Sequence, residues 1–441
     1  MRLLHTSDWH LGRTFHGRVL DDAHAAFADH LVELVISESV DAVLVSGDVY
    51  DRAIPPNDAV TILDETLRRL TERTRVVLTP GNHDSARRLG FAADLMREGL
   101  IIRARTAGLD RGIILPDADG NEATIVHALP YLDPDAAREI LPPLLAERLG
   151  EETPTKHTAE EDQAENRDAS SQPDPPERPR LPRSHAAVVS AALRLVAADL
   201  DRLRAGRSRR LPSLLMAHAF VVGGEACESE RDIRVGGVDS VPSGVFTTLG
   251  GSPLAERSGG LDYVALGHLH RPQDLTRPAG PRLVYSGSPL PFSFDEAEGA
   301  RNSATKSSVL LDLSADGVAG LERIPTPVLH QVRTLTGTMP EFLSPAFDDA
   351  TGTWVRVILQ GERPPGALAT LKERFPSLLA FQHEAPTRTA RERIAVTAAA
   401  DPLRITEDFF DDVCGRAPEP SERGVLRSAY ESALASARSE R

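Results

Sequence analysis

Cysteine is almost absent from this 441-residue chain, with Cys227 and Cys414 the only two. That excludes a disulfide framework and a thiolate-ligated zinc finger, and it fits a reducing cytoplasm. No run approaches the ~20 apolar residues needed to span a bilayer, and the start carries no signal-peptide pattern. A cytoplasmic protein without a membrane partner is therefore expected. No repeat of fixed period occurs, which removes solenoids and propellers. Positive charge is also short: the net charge is −15, and such acidity repels nucleic acid at long range. The acid is unevenly spread. Residues 151–180 hold no aromatic, branched aliphatic or methionine side chain and are rich in Glu, Asp and Pro. Such a stretch cannot offset its ordering entropy and reads as a disordered acidic insertion. Arginines, by contrast, collect beside the motifs described next, at Arg13, Arg18, Arg52, Arg87 and Arg88. Arg13 and Arg87 are the candidates for a phosphate-facing role.

What the chain does have is a set of acidic and histidine clusters, each placed where an apolar, strand-like run stops. Leu3-Leu4 leads to Asp8-Trp9-His10, Ala42–Val45 to Gly47-Asp48, and Val76–Leu78 to Gly81-Asn82-His83-Asp84. Later, Leu214–Ala217 ends at His218, and Tyr263–Leu266 ends at Gly267-His268-Leu269-His270. Between them lie helical patterns, one with Phe27, Leu31, Leu34 and Val35 on a face, another with Val60, Leu63, Leu67 and Leu70. Asp21 or Asp22 is the expected cap of the first. Alternating strands and helices indicate a layered α/β fold, in which loops at strand ends gather into sites.

Any one of these fragments is common: a lone Asp-x-His is usually a turn or a cap. Five in order, each after a strand, describe a metal centre. Asp8, His10, Asp48, Asn82, His218, His268 and His270 are the candidate ligands. Alternate side chains of an extended segment share a face, so both members of Asp-x-His and of His-x-His can reach one site. Oxygen and imidazole ligation without thiolate suits manganese, iron or zinc.

The order Asp-x-His, Gly-Asp, Gly-Asn-His-Asp, His, Gly-His-x-His resembles the signature of the calcineurin-like metallophosphoesterases. Met1–Gly12, Ser46–Asp51, Tyr263–His270 and Tyr285–Phe294 resemble, more closely, the SbcD nuclease-subunit family. The resemblance implies a layered β-sandwich flanked by helices, with a small C-terminal α+β capping domain and a helical tail. It implies two divalent metal ions, preferably Mn2+. Asp8, His10, Asp48 and His270 would hold one, and Asp48, Asn82, His218 and His268 the other. His83 would be the catalytic histidine, with Asp84 as its orienter. Where some relatives carry a further histidine three positions after the bridging aspartate, this chain has Asp51.

The same resemblance implies a DNA exonuclease and endonuclease working with an SbcC-like ATPase of the SMC type, as a homodimer within a heterotetramer. Residues 1–324 would be the nuclease domain, with an added helix at about 185–205 and Pro142-Pro143 opening the insertion. Residues 325–400 would form the capping domain, with strands at 328–335, 353–359 and 378–383 and helices at 338–346 and 366–375. Residues 401–441 would be the ATPase-binding tail, with Thr406 capping one helix. Phe409, Phe410, Leu426 and Tyr430 are its candidate anchors. A phosphatase or small-ligand phosphodiesterase on the same fold, and a non-catalytic scaffold, are the alternatives.

Overall fold

The computed structural model describes residues 1–96, 99–150, 180–233, 240–297, 306–385, 401–414 and 416–439. The expected acidic insertion lies outside them except for its last residue. In chain order the body comprises β1 (Arg2–Thr6), α1 (Asp21–Ser37), β2 (Ala42–Ser46), α2 (Asn57–Thr71), β3 (Arg75–Thr79), β4 (Leu100–Ile102), β5 (Ile113–Pro116), β6 (Glu122–Ala128), α3 (Pro134–Leu149), α4 (His185–Arg204), β7 (Ser213–His218), β8 (Tyr263–Gly267), β9 (Gln273–Asp274), β10 (Arg282–Tyr285), β11 (Ser307–Ser314) and β12 (Gly317–Pro325).

These strands make two six-stranded sheets, ordered β12-β11-β1-β2-β3-β4 and β9-β10-β8-β7-β6-β5. The strand alternation decides how they stack. Leu3, Leu44 and Val77 of the first sheet meet Leu214, Met216 and Ala265 of the second in the central core. The intervening residues point the other way. Leu4, Val43, Val45 and Leu78 pack on Phe27, Leu31, Leu63 and Leu70 of α1 and α2. Leu215, Val264 and Leu266 pack on Leu141 of α3 and on Leu193 and Val196 of α4. Both faces of both sheets are covered, which is why the strands read as unbroken apolar runs. The result is the expected layered sandwich flanked by helices.

Parallel pairing aligns the strand ends. Thr6 lies opposite Val45 in β1–β2, Val45 opposite Leu78 in β2–β3, and Gly267 opposite His218 in β8–β7. All five motif-bearing strands therefore finish on one edge.

Several local expectations are corrected. Pro142 and Pro143 do not end an element; α3 runs through them to Leu149, with Asp133 capping its start. Asp21 and Asp22 sit in the first turn of α1 rather than capping it, and Val60 on α2 is exposed. The helix expected at 338–346 is a single turn, Met339–Phe342, followed by a 3-10 segment, Pro345–Ala350.

After β12 come three mutually parallel strands, β13 (Val332–Gly337), β14 (Trp354–Gln360) and β15 (Leu378–Glu384), with α5 (Ala367–Arg374) packed on them. Leu335, Val355, Val357 and Leu359 meet Phe342, Leu371 and Phe375 in a core of their own. Trp354 joins this module to the body: it stacks on Phe15 and His330, and His330 Nε2 lies 2.9 Å from Asp22 Oδ2. Met1–Glu384 forms one compact unit.

Residues 385–441 form a second unit. It contains α6 (Pro402–Cys414) and α7 (Pro420–Ser439). Thr406 is not a cap, because α6 begins a turn earlier and Thr406 Oγ1 donates to the Pro402 carbonyl. Phe409 is exposed, while Phe410, Leu426 and Tyr430 are half-buried.

Candidate metal centre

Four of the seven expected ligands sit in backbone that side chains rarely adopt. Asp8, His10, Asp48 and His268 have φ of 54°, 47°, 47° and 105°. Such strain persists only where the surroundings over-determine it, and it gathers at functional sites. Here each sharp turn follows directly from a strand and throws the next side chain back over the sheet edge. Gly81 allows the loops to close: a Cβ there would collide with the Asp48 carboxylate.

All seven candidate ligands converge. Asp48 Oδ2 lies 3.5 Å from His10 Nε2 and 3.3 Å from His218 Nε2, between two groups of donors. On one side, His10 Nε2 and His270 Nε2 face each other at 3.1 Å, beside Asp8. On the other, Asn82 Oδ1 is 2.9 Å from His218 Nε2 and 3.1 Å from His268 Nδ1. Backbone bonds lock the frame: the His268 N–H donates to Asp8 at 2.9 Å and the His83 N–H to Asp48 at 2.9 Å.

The donor set fits divalent metal. Asp8, His10, Asp48 and His218 are essentially removed from water, so two carboxylates share a dry pocket with imidazole nitrogens. Burial drives His10 down to about 3. Burial also opposes charge on His218, yet Asp48 and Asp8 hold it up at about 9. A pocket that attracts a proton this strongly attracts a cation in its place. His218 Nδ1 donates to the Ser46 carbonyl at 3.0 Å, which turns Nε2 into the centre as a ligand.

His83 is arranged differently. Its Nδ1 lies 2.9 Å from the Asp51 carbonyl, an acceptor only, so Nδ1 carries the proton and Nε2 is left free. Its ring is 4.8 Å from that of His10. The orienting contact thus comes from Asp51, not from Asp84 as expected. Asp84 instead accepts from the backbone N–H groups of Val49, Tyr50 and Gly81, each at 2.9 Å, and so ties two ligand loops together. Burial and the nearby Asp48 push its carboxyl up to about 7 against those three donors. Asp84→Ala leaves them without their acceptor, at about 1–3 kcal/mol each, and should lower Tm by about 4–11 °C. A melt at the wild-type temperature would show that the loops do not depend on this carboxylate.

Asp51 was also missed as a support: its Oδ1 faces His10 Nδ1 at 3.5 Å. Its position three residues after Asp48 was the available signal. Arg13, expected to face phosphate, lies against the wall of the site, with Nη1 3.4 Å from Asp51 and its guanidinium 4.8 Å over Phe292. Arg87 is exposed on the short helix Ala86–Leu89 that follows His83.

The chain is similar to several known proteins. Residues 1–135 match the family model described as calcineurin-like phosphoesterase. The chain is 34% identical over 433 residues to SbcD of the SbcCD nuclease of Rhodobacter capsulatus, covering 92% of this chain and 91% of that protein. Among solved structures, TT1561 of Thermus thermophilus matches with 14% identity and a TM-score of 0.36, covering 74% of this chain and 98% of that one. GAP50 of the Plasmodium inner membrane complex matches with 9% identity and a TM-score of 0.35, covering 74% and 89%. Identity sustained along almost the whole length, on top of a buried His/Asp cluster at the strand ends, places the chain in the SbcD family of metal-dependent nuclease subunits within the calcineurin-like phosphoesterases.

Proposed function

We propose that this chain hydrolyses DNA phosphodiester bonds at a two-metal centre loaded with Mn2+, as the nuclease of a complex with an SbcC-like ATPase. The observation that carries the reading is Asp48, whose Oδ2 stands between the His10 and His218 nitrogens and so suits a bridging carboxylate. Asp8, His10, Asp48 and His270 would hold one ion, and Asp48, Asn82, His218 and His268 the other. When bound, such ions acidify water and offset charge on the phosphoryl oxygens.

The chain's own groups do the rest. Asn82 adds a neutral oxygen, limiting negative charge beside an anionic substrate. His83 Nε2, left free by the Nδ1 bond to Asp51, receives or donates a proton at a phosphoryl or leaving oxygen. Exposed Arg87, a few residues on, is the candidate phosphate contact.

The division into nuclease (1–324), capping (325–400) and tail (401–441) belongs to the same reading. So does a homodimer within a heterotetramer, active as an ATP-dependent exonuclease on duplex DNA and an endonuclease on single strands and hairpins. Exposed Ile54, Val60, Phe91 and Leu95, on segments flanking the His83 loop, offer apolar surface suited to a second copy. The partner explains the acidic charge, since much of the DNA grip can lie on the ATPase. Phe409 at 67% exposure is an apolar side chain available to a helix-in-groove contact, with half-buried Phe410, Leu426 and Tyr430 as the further candidate anchors. Truncation after residue 400 should abolish ATPase capture in a pull-down and leave Mn2+-dependent phosphodiesterase activity in place. Capture at full strength would remove the tail from the docking role. Cleavage of duplex and hairpin DNA with Mn2+ and the ATPase tests the activity; hydrolysis of a phosphomonoester alone would instead support a phosphatase.

A further inference from the structure

His270 is held from behind by polar groups that none of the motifs predicts. Its Nε2 points into the metal centre, and its Nδ1 is 2.7 Å from Ser229 Oγ. Ser229 in turn donates to Glu296 Oε1 at 2.5 Å, and Ser293 Oγ, 2.7 Å from the same oxygen, shares its one proton between it and Asp295 Oδ1 at 2.6 Å. Glu296 Oε2 receives Lys306 Nζ at 2.6 Å. The Glu296 side chain is wholly buried and that of Lys306 is 4% exposed.

Hydrogen counting gives this arrangement a direction. A lysine has three N–H donors, and all three are used: on Glu296, on Ser288 Oγ at 2.8 Å, and on the His270 carbonyl at 2.8 Å. The ion pair keeps Glu296 ionised, so it only accepts. Ser229 has one hydroxyl proton and gives it to Glu296. Its lone pair must then accept from His270, which requires the proton on Nδ1 and leaves Nε2 bare for a cation. The backbone N–H of His270 is meanwhile taken by Glu230. An isolated buried ion pair is a poor source of stability; here it grips one ligand through both its ring and its carbonyl.

We propose that Glu296, acting through Ser229 and held by Lys306, is a positioning residue that sets the tautomer and aim of His270 for one of the two metal ions. The proposal rests on the two-metal reading above and concerns metal binding alone.

Mn2+ titration calorimetry on the full chain, without DNA or ATPase, tests it. Ser229→Val keeps the ion pair but removes the hydroxyl, and its methyl groups keep water from the place of Oγ. Glu296→Gln/Lys306→Met removes both buried charges together, so that neither is left unpaired. One of the two Mn2+ ions should bind about 10–100-fold more weakly in either variant that melts like wild type, the other ion being unaffected. Wild-type affinity for both ions in Ser229→Val would overturn the proposal, whatever the double variant does. Equal weakening of both ions would also overturn it, as the mark of general loosening. Failure of the wild-type chain to cut DNA while binding two ions would count against the nuclease reading and leave this one standing.

Discussion

His83→Ala should lose cleavage by about 10²–10⁴-fold while retaining both metal ions. Three observations set that expectation. His83 Nδ1 is spent on the Asp51 carbonyl, so only Nε2 is free to act. The side chain is part-exposed, whereas the ligand histidines are buried, so it lies on the side from which substrate arrives. Seven other groups complete the donor set without it. The geometry also offers a competing role, because a ring nitrogen of His83 lies within ligand range of His10 and Asp48. Metal analysis of the purified variant beside its cleavage rate separates the two. Loss of one metal ion with the activity would make His83 a ligand; full activity with both ions would leave it no role in the chemistry.

Asp48→Asn should have the larger effect, because one substitution reaches both ions. Asparagine retains an oxygen to accept the His83 N–H, so the loop keeps its anchor. It brings no charge, however, and the carboxylate that sits between His10 and His218 is gone. Both Mn2+ ions should bind at least about 100-fold more weakly, and cleavage should fall by about a thousandfold or more, equivalent to roughly 4 kcal/mol. His270→Ala is the control, since its side chain meets only the His10 half of the centre. Loss of one ion in Asp48→Asn with the second held at wild-type affinity would contradict the bridging assignment.

The contrast between these groups and the relay behind His270 shows what each level of description carries. The convergence of the candidate ligands was legible because each belongs to a short motif that ends an apolar strand. In a sandwich covered on both faces, such strands are unbroken apolar runs, and their ends are local events. Parallel register then made convergence almost unavoidable: once β1, β2 and β3 align as Thr6–Val45–Leu78, the three following loops share one edge. The amphipathic helices α1 and α4 were legible for the same reason, since a buried stripe repeats along the segment that forms it.

Asp84 marks the limit of that reading. Its place beside His83 suggested a partner for that ring, but adjacency along a tight loop does not decide direction. The carboxylate turned toward three backbone N–H groups, and a carbonyl from another loop took the histidine. The prolines of α3 misled similarly, because packing on α4 outweighs the local cost of Pro142 and Pro143 inside a helix.

By itself the amino-acid order determined a layered α/β fold, the five strand ends and the seven candidate donors, because hydrophobic periodicity and motif spacing are local and repeat over several residues. Only the tertiary structure decided which atoms of those donors face one another, which carbonyl holds His83, and that Ser229, Glu296 and Lys306 stand behind His270. These three are ordinary polar residues in segments without periodicity. Burial gives them their role, since only in a dry interior must every donor and acceptor find a partner, and only then does the proton of one hydroxyl dictate the tautomer of a ligand.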